Sequence, residues 1–252
     1  MQRSQRHKAI IQAVSGGATL GVDDLRRLTG ASAVTVRRDL AELAAAGAVT
    51  RTHGGVRRAA KRGTQMPFGS RFEADLELKS RLGAAAAALV EDDESLVLDN
   101  GTTCLAVARA LAGRPVTVLA LSLHGAAALA ARPGASVVVP GGPVETDSLA
   151  LVGSDAVDAV RAVRVDVAVL GACSASTGDG LTSTTPEDAA VKRACLEVAR
   201  RRVLVATPDK LGRSSTFRFG APSDLTHLVT TDDAPAEALA GFRGAGVEVL
   251  LV

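Results

Sequence analysis

From residue 95 onward, seven short apolar runs of β-forming residues alternate with five helical segments, an order that few architectures can absorb. The runs are 95–98, 116–119, 136–139, 165–170, 202–206, 227–230 and 247–251. The helical segments fall at 103–111, 123–131, 154–163, 186–201 and 234–244. Parallel neighbours need a crossover long enough to hold a helix, so this alternation predicts a mostly parallel sheet with helices on both faces. Ligands of such sheets sit beyond the C-terminal ends of the strands. A further helix, starting at Arg71 and running through an alanine stretch to Val90, precedes the first strand.

The first 58 residues follow another pattern. Ala9, Ile10, Ala13 and Val14 have helical spacing, as do Val22, Leu25 and Leu28. Thr29-Gly30-Ala31 is a tight turn, and Ser32 stands where an N-cap belongs, before the segment 33–43. There Val36, Leu40 and Leu43 form one apolar stripe, with Thr35, Arg37, Arg38 and Glu42 mainly off it. Gly47 ends that helix, and segments 48–51 and 55–58 are two short strands around His53-Gly54-Gly55. Helix, helix, turn, helix, hairpin is a winged helix-turn-helix.

Charge separates the same two parts. Residues 1–62 hold twelve Lys and Arg against four Asp and Glu; the rest holds 17 against 23. A basic head on an acidic body predicts that the head meets a polyanion. A third helix opening with small and hydroxyl residues and carrying two arginines suits a major groove. Thr35, Arg37 and Arg38 are the expected base or phosphate contacts, with Ser32 and Arg51 positioning them. Arg51, Arg57 and Arg58 of the wing, beside His53, reach phosphates. A helical adaptor that binds protein is the competing account of the head. With aromatics at 2% and neither Trp nor Tyr, base stacking on aromatic platforms is excluded as the mode of binding.

Other classes recede. The three cysteines, Cys104, Cys173 and Cys195, form no C-x-x-C pair and read as small buried hydrophobes. No metal or cofactor is expected. No apolar run approaches a membrane span, and no apolar stretch follows the basic start, so a cytoplasmic protein is expected. Residues 59–69 mix Lys, Arg, Gly, Thr and Pro without periodicity and are read as a linker between domains 1–58 and 70–252.

In the body, the most informative turn is Asp99-Asn100-Gly101-Thr102-Thr103. It joins a strand to a helix, with a glycine for close backbone approach and two hydroxyls at a helix N-terminus. Those features hold a phosphate or another anion. Thr is equally an ordinary N-cap. Loops at Gly141-Gly142, Gly171–Ser174, Gly178–Thr182 and Asp209-Lys210, and the helix start carrying Glu187 and Lys192, converge on the same rim.

Ala33-Val34-Thr35-Val36-Arg37-Arg38-Asp39-Leu40, followed by Leu43, Gly47, Arg51 and His53-Gly54-Gly55, resembles the N-terminal signature of DeoR-family transcriptional regulators. Asp99, Gly101-Thr102-Thr103, Gly141-Gly142, Val152-Gly153, Asp166, Gly180-Leu181, Glu187, Lys192 and Lys210-Leu211-Gly212 follow the order of that family's sensor domain, which is similar to ribose-5-phosphate isomerase and the CoA-transferase-like fold. The resemblance implies a repressor of a carbohydrate operon rather than an enzyme. Its partners would be double-stranded operator DNA and a phosphorylated sugar or related effector, and it would act as a homodimer or homotetramer. Gly101, Thr102 and Thr103 would hold phosphate, with Asp99, Ser122, Gly141, Gly142, Glu187, Lys192 and Lys210 around the effector. Two stretches depart from the family pattern. Ala120-Leu121-Ser122 replaces a frequent Thr-Asn-Ser, and Thr207-Pro208-Asp209-Lys210 a frequent Asp-x-Ser-Lys, so the sugar end of the pocket is expected to be rewritten. Two other accounts stay open: a sugar-phosphate isomerase using Asp99, Asp166, Glu187 or Asp209 as base, and a regulator whose sensor is dead, with Leu121 as the cause.

Overall fold

The computed structural model describes residues 2–14, 19–45, 48–52, 55–58 and 67–252. They fall into two compact units, Met1–Met66 and Pro67–Val252. The proposed linker lies mostly outside the described residues, as do His53 and Gly54.

The first unit holds α1 (Arg3–Ala13), α2 (Val22–Thr29), α3 (Ala33–Ala45), β1 (Val49–Thr52) and β2 (Gly55–Arg58). Gly30 ends α2 in the left-handed region at φ 66°, which glycine enters without strain. The Ser32 hydroxyl accepts the Thr35 N–H at 3.2 Å and caps α3. β1 and β2 pair antiparallel, and Leu20 exchanges two 2.9 Å backbone hydrogen bonds with Val56. The wing must pass close to Leu20: a Cβ on Gly55 would fall 2.2 Å from the Leu20 carbonyl oxygen. Ile10, Val14, Leu25, Val36, Leu40, Leu43, Val49 and Val56 form the core. Every helix and the wing contribute to it, so the wing is part of the fold.

The second unit opens with α4 (Phe68–Glu73) and α5 (Leu76–Ala88). The expected single helix from Arg71 to Val90 is thus broken. Asp75 takes φ 53°, and the chain turns between the two pieces. A seven-stranded parallel sheet follows, built from β3 (Ser95–Leu98), β4 (Thr117–Ala120), β5 (Ser136–Val138), β6 (Val165–Leu170), β9 (Ala199–Val205), β11 (His227–Thr230) and β12 (Glu248–Leu251). Between β6 and β9 lie β7 (Ser174–Ser176), β8 (Gly180–Ser183) and α9 (Pro186–Val198), and β10 (Phe217–Gly220) follows β9. These short strands form a separate antiparallel sheet in the order β10-β8-β7, with β7 and β8 reaching into segments expected as loops. The helix expected over 186–201 stops at Val198. Ala199 and Arg201 are taken by pairing with Val165 and Val167 of β6, so β9 starts three residues early.

In the parallel sheet the order is β12-β11-β9-β6-β3-β4-β5. From β3 the chain moves outward through β4 and β5, then returns to β6 on the other side of β3 and moves outward again. The topological switch point therefore lies between β3 and β6, where the connections leave in opposite directions and open a crevice. One face packs α5, α6 (Thr102–Leu111) and α7 (Leu123–Ala130) through Leu82, Ala86, Leu98, Val107 and Leu129. The other packs α8 (Ser154–Arg161), α9 and α10 (Ala236–Gly244) through Val160, Leu170, Val191 and Phe242. Small residues bring α5 onto α6: a Cβ on Gly83 would lie 2.6 Å from the Ala106 carbonyl carbon.

Candidate functional site

The crevice at the switch point is lined by the turns that leave β3, β6 and β9. Leaving β3, Gly101 stands at φ +101° as the N-cap of α6, and Thr102 and Thr103 are buried in its first turn. The exposed N–H groups of such a turn favour an anion. The Thr103 hydroxyl is buried and meets no hydrogen-bond partner among the described residues.

Below that turn lies a buried ionic network. Asp99, 1% exposed, accepts the Gly171 N–H at 2.9 Å and so ties the end of β3 to the end of β6 across the switch point. Asn100 Nδ2 donates to Asp99 at 3.1 Å and to Asp188 at 2.7 Å. Lys192, 3% exposed, is bonded to Asp99 and stands 3.3 Å from Asp188. Burial alone would lower its pKa, but the carboxylates of Asp188 and Asp99 outweigh burial and hold it above the ordinary lysine range. Lys192 is thus a strut held between the carboxyl groups of Asp99 and Asp188, and burial in turn raises the pKa of Asp99. Its partner on α9 is Asp188, four residues earlier on the same face. Glu187, expected beside it, is exposed and lies five residues away, on another face.

A second set of cations gathers around Arg71, which stands against the turn. Arg71 comes from α4, and its Nη1 lies 4.0 Å from where a Gly101 Cβ would stand. Burial lowers its pKa, against the pull of Cys173, Asp147, Glu145 and Asp188. Lys79 of α5 is buried, and its ammonium donates to the carbonyls of Arg71 and Ala74, closing the end of α4. Its pKa is lowered to about 8, by burial first and then by Lys210. Lys210 sits in the single 3-10 turn Pro208–Lys210 after β9, also below the ordinary range because its surroundings are desolvated. Cations held below their usual pKa around a helix N-terminus make a site that gains from an anion.

Two further contacts fix α4. The Phe68 N–H donates to Asp147 at 2.7 Å, and the Phe68 ring stacks on His124 with centroids 4.4 Å apart. Neither Arg71 nor Lys79 was singled out in the sequence. The signal available was a basic residue on each side of the Ala74-Asp75 break.

The other expected residues divide. Ser122 is buried and caps α7, its hydroxyl accepting the Gly125 N–H at 3.1 Å. Gly141 and Gly142 follow β5, two strands out from β3 and so about 10 Å away across the sheet. Gly142 is required by Asp155, whose carboxylate would lie 2.6 Å from a Cβ there. Leu121 is fully buried in the core with Ala156 and Leu170. Thr207 donates to Asp209 at 2.6 Å. Asp166 lies near the start of β6, at the end of the sheet away from the crevice, and accepts the Ser95 N–H and hydroxyl at 3.0 and 2.7 Å. Cys104 and Cys195 are buried as expected. Cys173 is half-buried, its Sγ 3.8 Å from the hydroxyls of Ser183 and Thr184.

On the head, Arg37 and Arg38 are exposed on α3, Arg38 80% so, with its Nε 3.6 Å from Glu42. Ser32 and Thr35 share a 2.9 Å hydroxyl contact at the helix start. Arg51 of β1 is exposed and Arg57 of β2 half-buried; Arg58 ends β2 opposite Val49. Asp39 points inward. It accepts two bonds from Arg6, at 2.7 and 3.1 Å, and stands 3.2 Å from His7, tying α3 to α1. The Arg6 bond lowers its pKa against burial. His7, Asp39 and Glu42 place donor atoms within 4.8 Å of one another, but Arg3 and Arg6 already engage both carboxylates.

A model of the DeoR-like helix-turn-helix domain matches residues 6–62, and a model of the DeoR C terminal sensor domain matches residues 74–232. The chain is 28% identical over 253 residues to a putative aga operon transcriptional repressor of Escherichia coli O157:H7, covering 99% of this chain and 94% of the relative. It is 30% identical over 233 residues to the glycerol-3-phosphate regulon repressor of Haemophilus influenzae, covering 92% and 91%. Among solved structures, ribose 5-phosphate isomerase A of Neisseria gonorrhoeae overlaps 53% of this chain and 52% of its own, at 18% identity and a TM-score of 0.38.

Proposed function

The chain belongs to the DeoR family of transcriptional regulators, and from that premise we propose that its head grips operator DNA while the crevice between β3 and β6 takes a phosphorylated sugar or related metabolite that alters the grip. The observation that carries the ligand reading is the Thr103 hydroxyl, which has no hydrogen-bond partner among the described residues, at the N-terminus of α6 where Arg71 stands against Gly101. A phosphate supplies acceptors for the hydroxyl and the helix N–H groups together, and negative charge for the cations.

Gly101, Thr102, Thr103, Arg71 and Lys210 bind the phosphate. Asp99, Asn100, Asp188 and Lys192 hold the turn in place without spending a free charge on the ligand. Lys79 holds α4 and thereby Arg71. On DNA, Arg37 and Arg38 of α3 reach into the major groove, and Arg51, Arg57 and Arg58 of the wing reach phosphates. Two copies reading two half-sites supply the specificity one head lacks. The target is a carbohydrate-metabolism operon, repressed until the effector binds one arrangement of the heads better than the other.

The test is fluorescence anisotropy of the whole protein on DNA upstream of its own gene, at two salt concentrations, with and without a panel of sugar phosphates. Specific binding that one phosphate ester changes tenfold or more supports the reading. Specific binding untouched by every phosphorylated compound removes the effector class. Turnover of ribose 5-phosphate by the purified chain would replace the regulator with an enzyme.

A further inference from the structure

One apolar side chain in the head does no work for the fold. Val34 is 75% exposed, in the first turn of α3. A β-branched residue there is a poor choice for helix propensity and for solubility. Single exposed hydrophobics are common, so its position must carry the argument. At about 100° per residue, Val36, Leu40 and Leu43 point to the core, while Val34 and Arg38 point away from it, about 40° apart. Val34 thus stands one turn before the exposed Arg38 and beside the Ser32–Thr35 cap. The face that meets a major groove carries a guanidinium and, about one turn earlier, an isopropyl group.

The only apolar feature that a base pair offers in the major groove is the thymine C5 methyl. We propose that Val34 is a specificity-determining residue that packs on a thymine methyl in each operator half-site, adjacent to the position contacted by Arg38. This rests on the DNA-binding role of the head and adds to it a base identity. Arg38 alone leaves sequence recognition to hydrogen bonds and phosphate attraction. Val34 makes one position a test of a single methyl group.

The experiment first selects a preferred site from a random duplex pool with the whole protein. Each thymine of that site is then replaced by uracil, which lacks only the methyl, and binding is read by anisotropy at fixed salt. In the wild type, one uracil per half-site weakens binding about fourfold, the factor for returning one buried methyl to water. In Val34→Ala, which is exposed and keeps its melting temperature, the same uracil costs less than twofold. In Val34→Thr, which retains a methyl, an intermediate loss remains. The dependence on salt is unchanged in both, because no phosphate contact is removed. A flat uracil scan in the wild type overturns the proposal, as does an undiminished uracil effect in Val34→Ala or an altered salt slope. A pool from which no sequence is enriched overturns the sequence-reading role of the head, and this proposal with it.

Discussion

Thr103 keeps a hydroxyl in the interior without a partner among the described residues, which costs about 1–3 kcal/mol in a protein that has no use for it. Thr103→Val therefore leaves the melting temperature of the unliganded protein unchanged or raises it, while effector affinity falls about tenfold; calorimetry with the active sugar phosphate reads both. Arg71→Ala removes a charge-assisted contact and is expected to weaken the same ligand by tenfold to a hundredfold, with operator affinity in its absence unchanged. Asp39 gives a pH prediction in the head. Its pKa is lowered in the folded state, so its contribution is fully present above the unfolded value near 3.8 and is lost as pH falls through the lower folded value. Asp39→Asn destabilises the head and flattens that acid limb, as thermal melts between pH 2 and 5 would show. Some of this was legible. Ser32 as a cap follows from local spacing, and Asp39 as an internal tie follows from the repulsion a carboxylate would meet beside DNA phosphates. Glu187 and Asp188 are adjacent carboxylates, and only the helix phase relative to Lys192 separates them; the i,i+4 rule selects Asp188. The Thr103 orphan was invisible, because a sequence does not show which hydroxyls lack neighbours.

At the scale of elements, α4 is the piece that sequence periodicity missed. Six residues are too few to show a 3.6-residue repeat, and the break at Asp75 is a left-handed residue that is not glycine. The strands β7 and β8 were hidden for a related reason: Ser174-Ala175-Ser176 and Gly180–Ser183 carry small and polar residues that read as turns. The central parallel strands were clear because both their faces are buried, which forces continuous apolar runs, and the more exposed edge strands β5 and β12 keep β-branched valines. Lys79 is the fastener of α4. A phosphate dianion beside Arg71 and Lys210 favours its charged form, so binding raises its pKa from about 8. Effector affinity should accordingly fall as pH rises from 7 through 9, and Lys79→Met should bind more weakly at pH 7 with a smaller further loss at pH 9, the remainder coming from Lys210. Without ligand the sign reverses. The unfolded chain holds that proton more tightly, so stability rises with pH between about 8 and the unfolded value of 10.5. The chain has no tyrosine to obscure that alkaline limb.

For the whole molecule, the division of charge sets the behaviour on DNA. Each phosphate contact contributes about one unit to the salt slope of operator affinity, so Arg51→Ala should lower that slope by about one on every DNA sequence. Sedimentation on a two-half-site duplex should give two or four copies per DNA. The order of the parallel sheet has a mechanical consequence. Strands β3, β4 and β5 form one leaf and β6, β9, β11 and β12 another, and the chain crosses between them once, from β5 back to β6. The crevice is the seam where the leaves meet, stitched at its upper edge by Asp99 to Gly171 and by Lys192 to Asp99. A phosphate seated on Gly101 from one leaf and on Lys210 from the other is a rivet through that seam. It stiffens both leaves at once, so amide exchange should slow at residues 99–103 and 207–211 together, and a shear applied across the leaves is a signal the rest of the protein can feel.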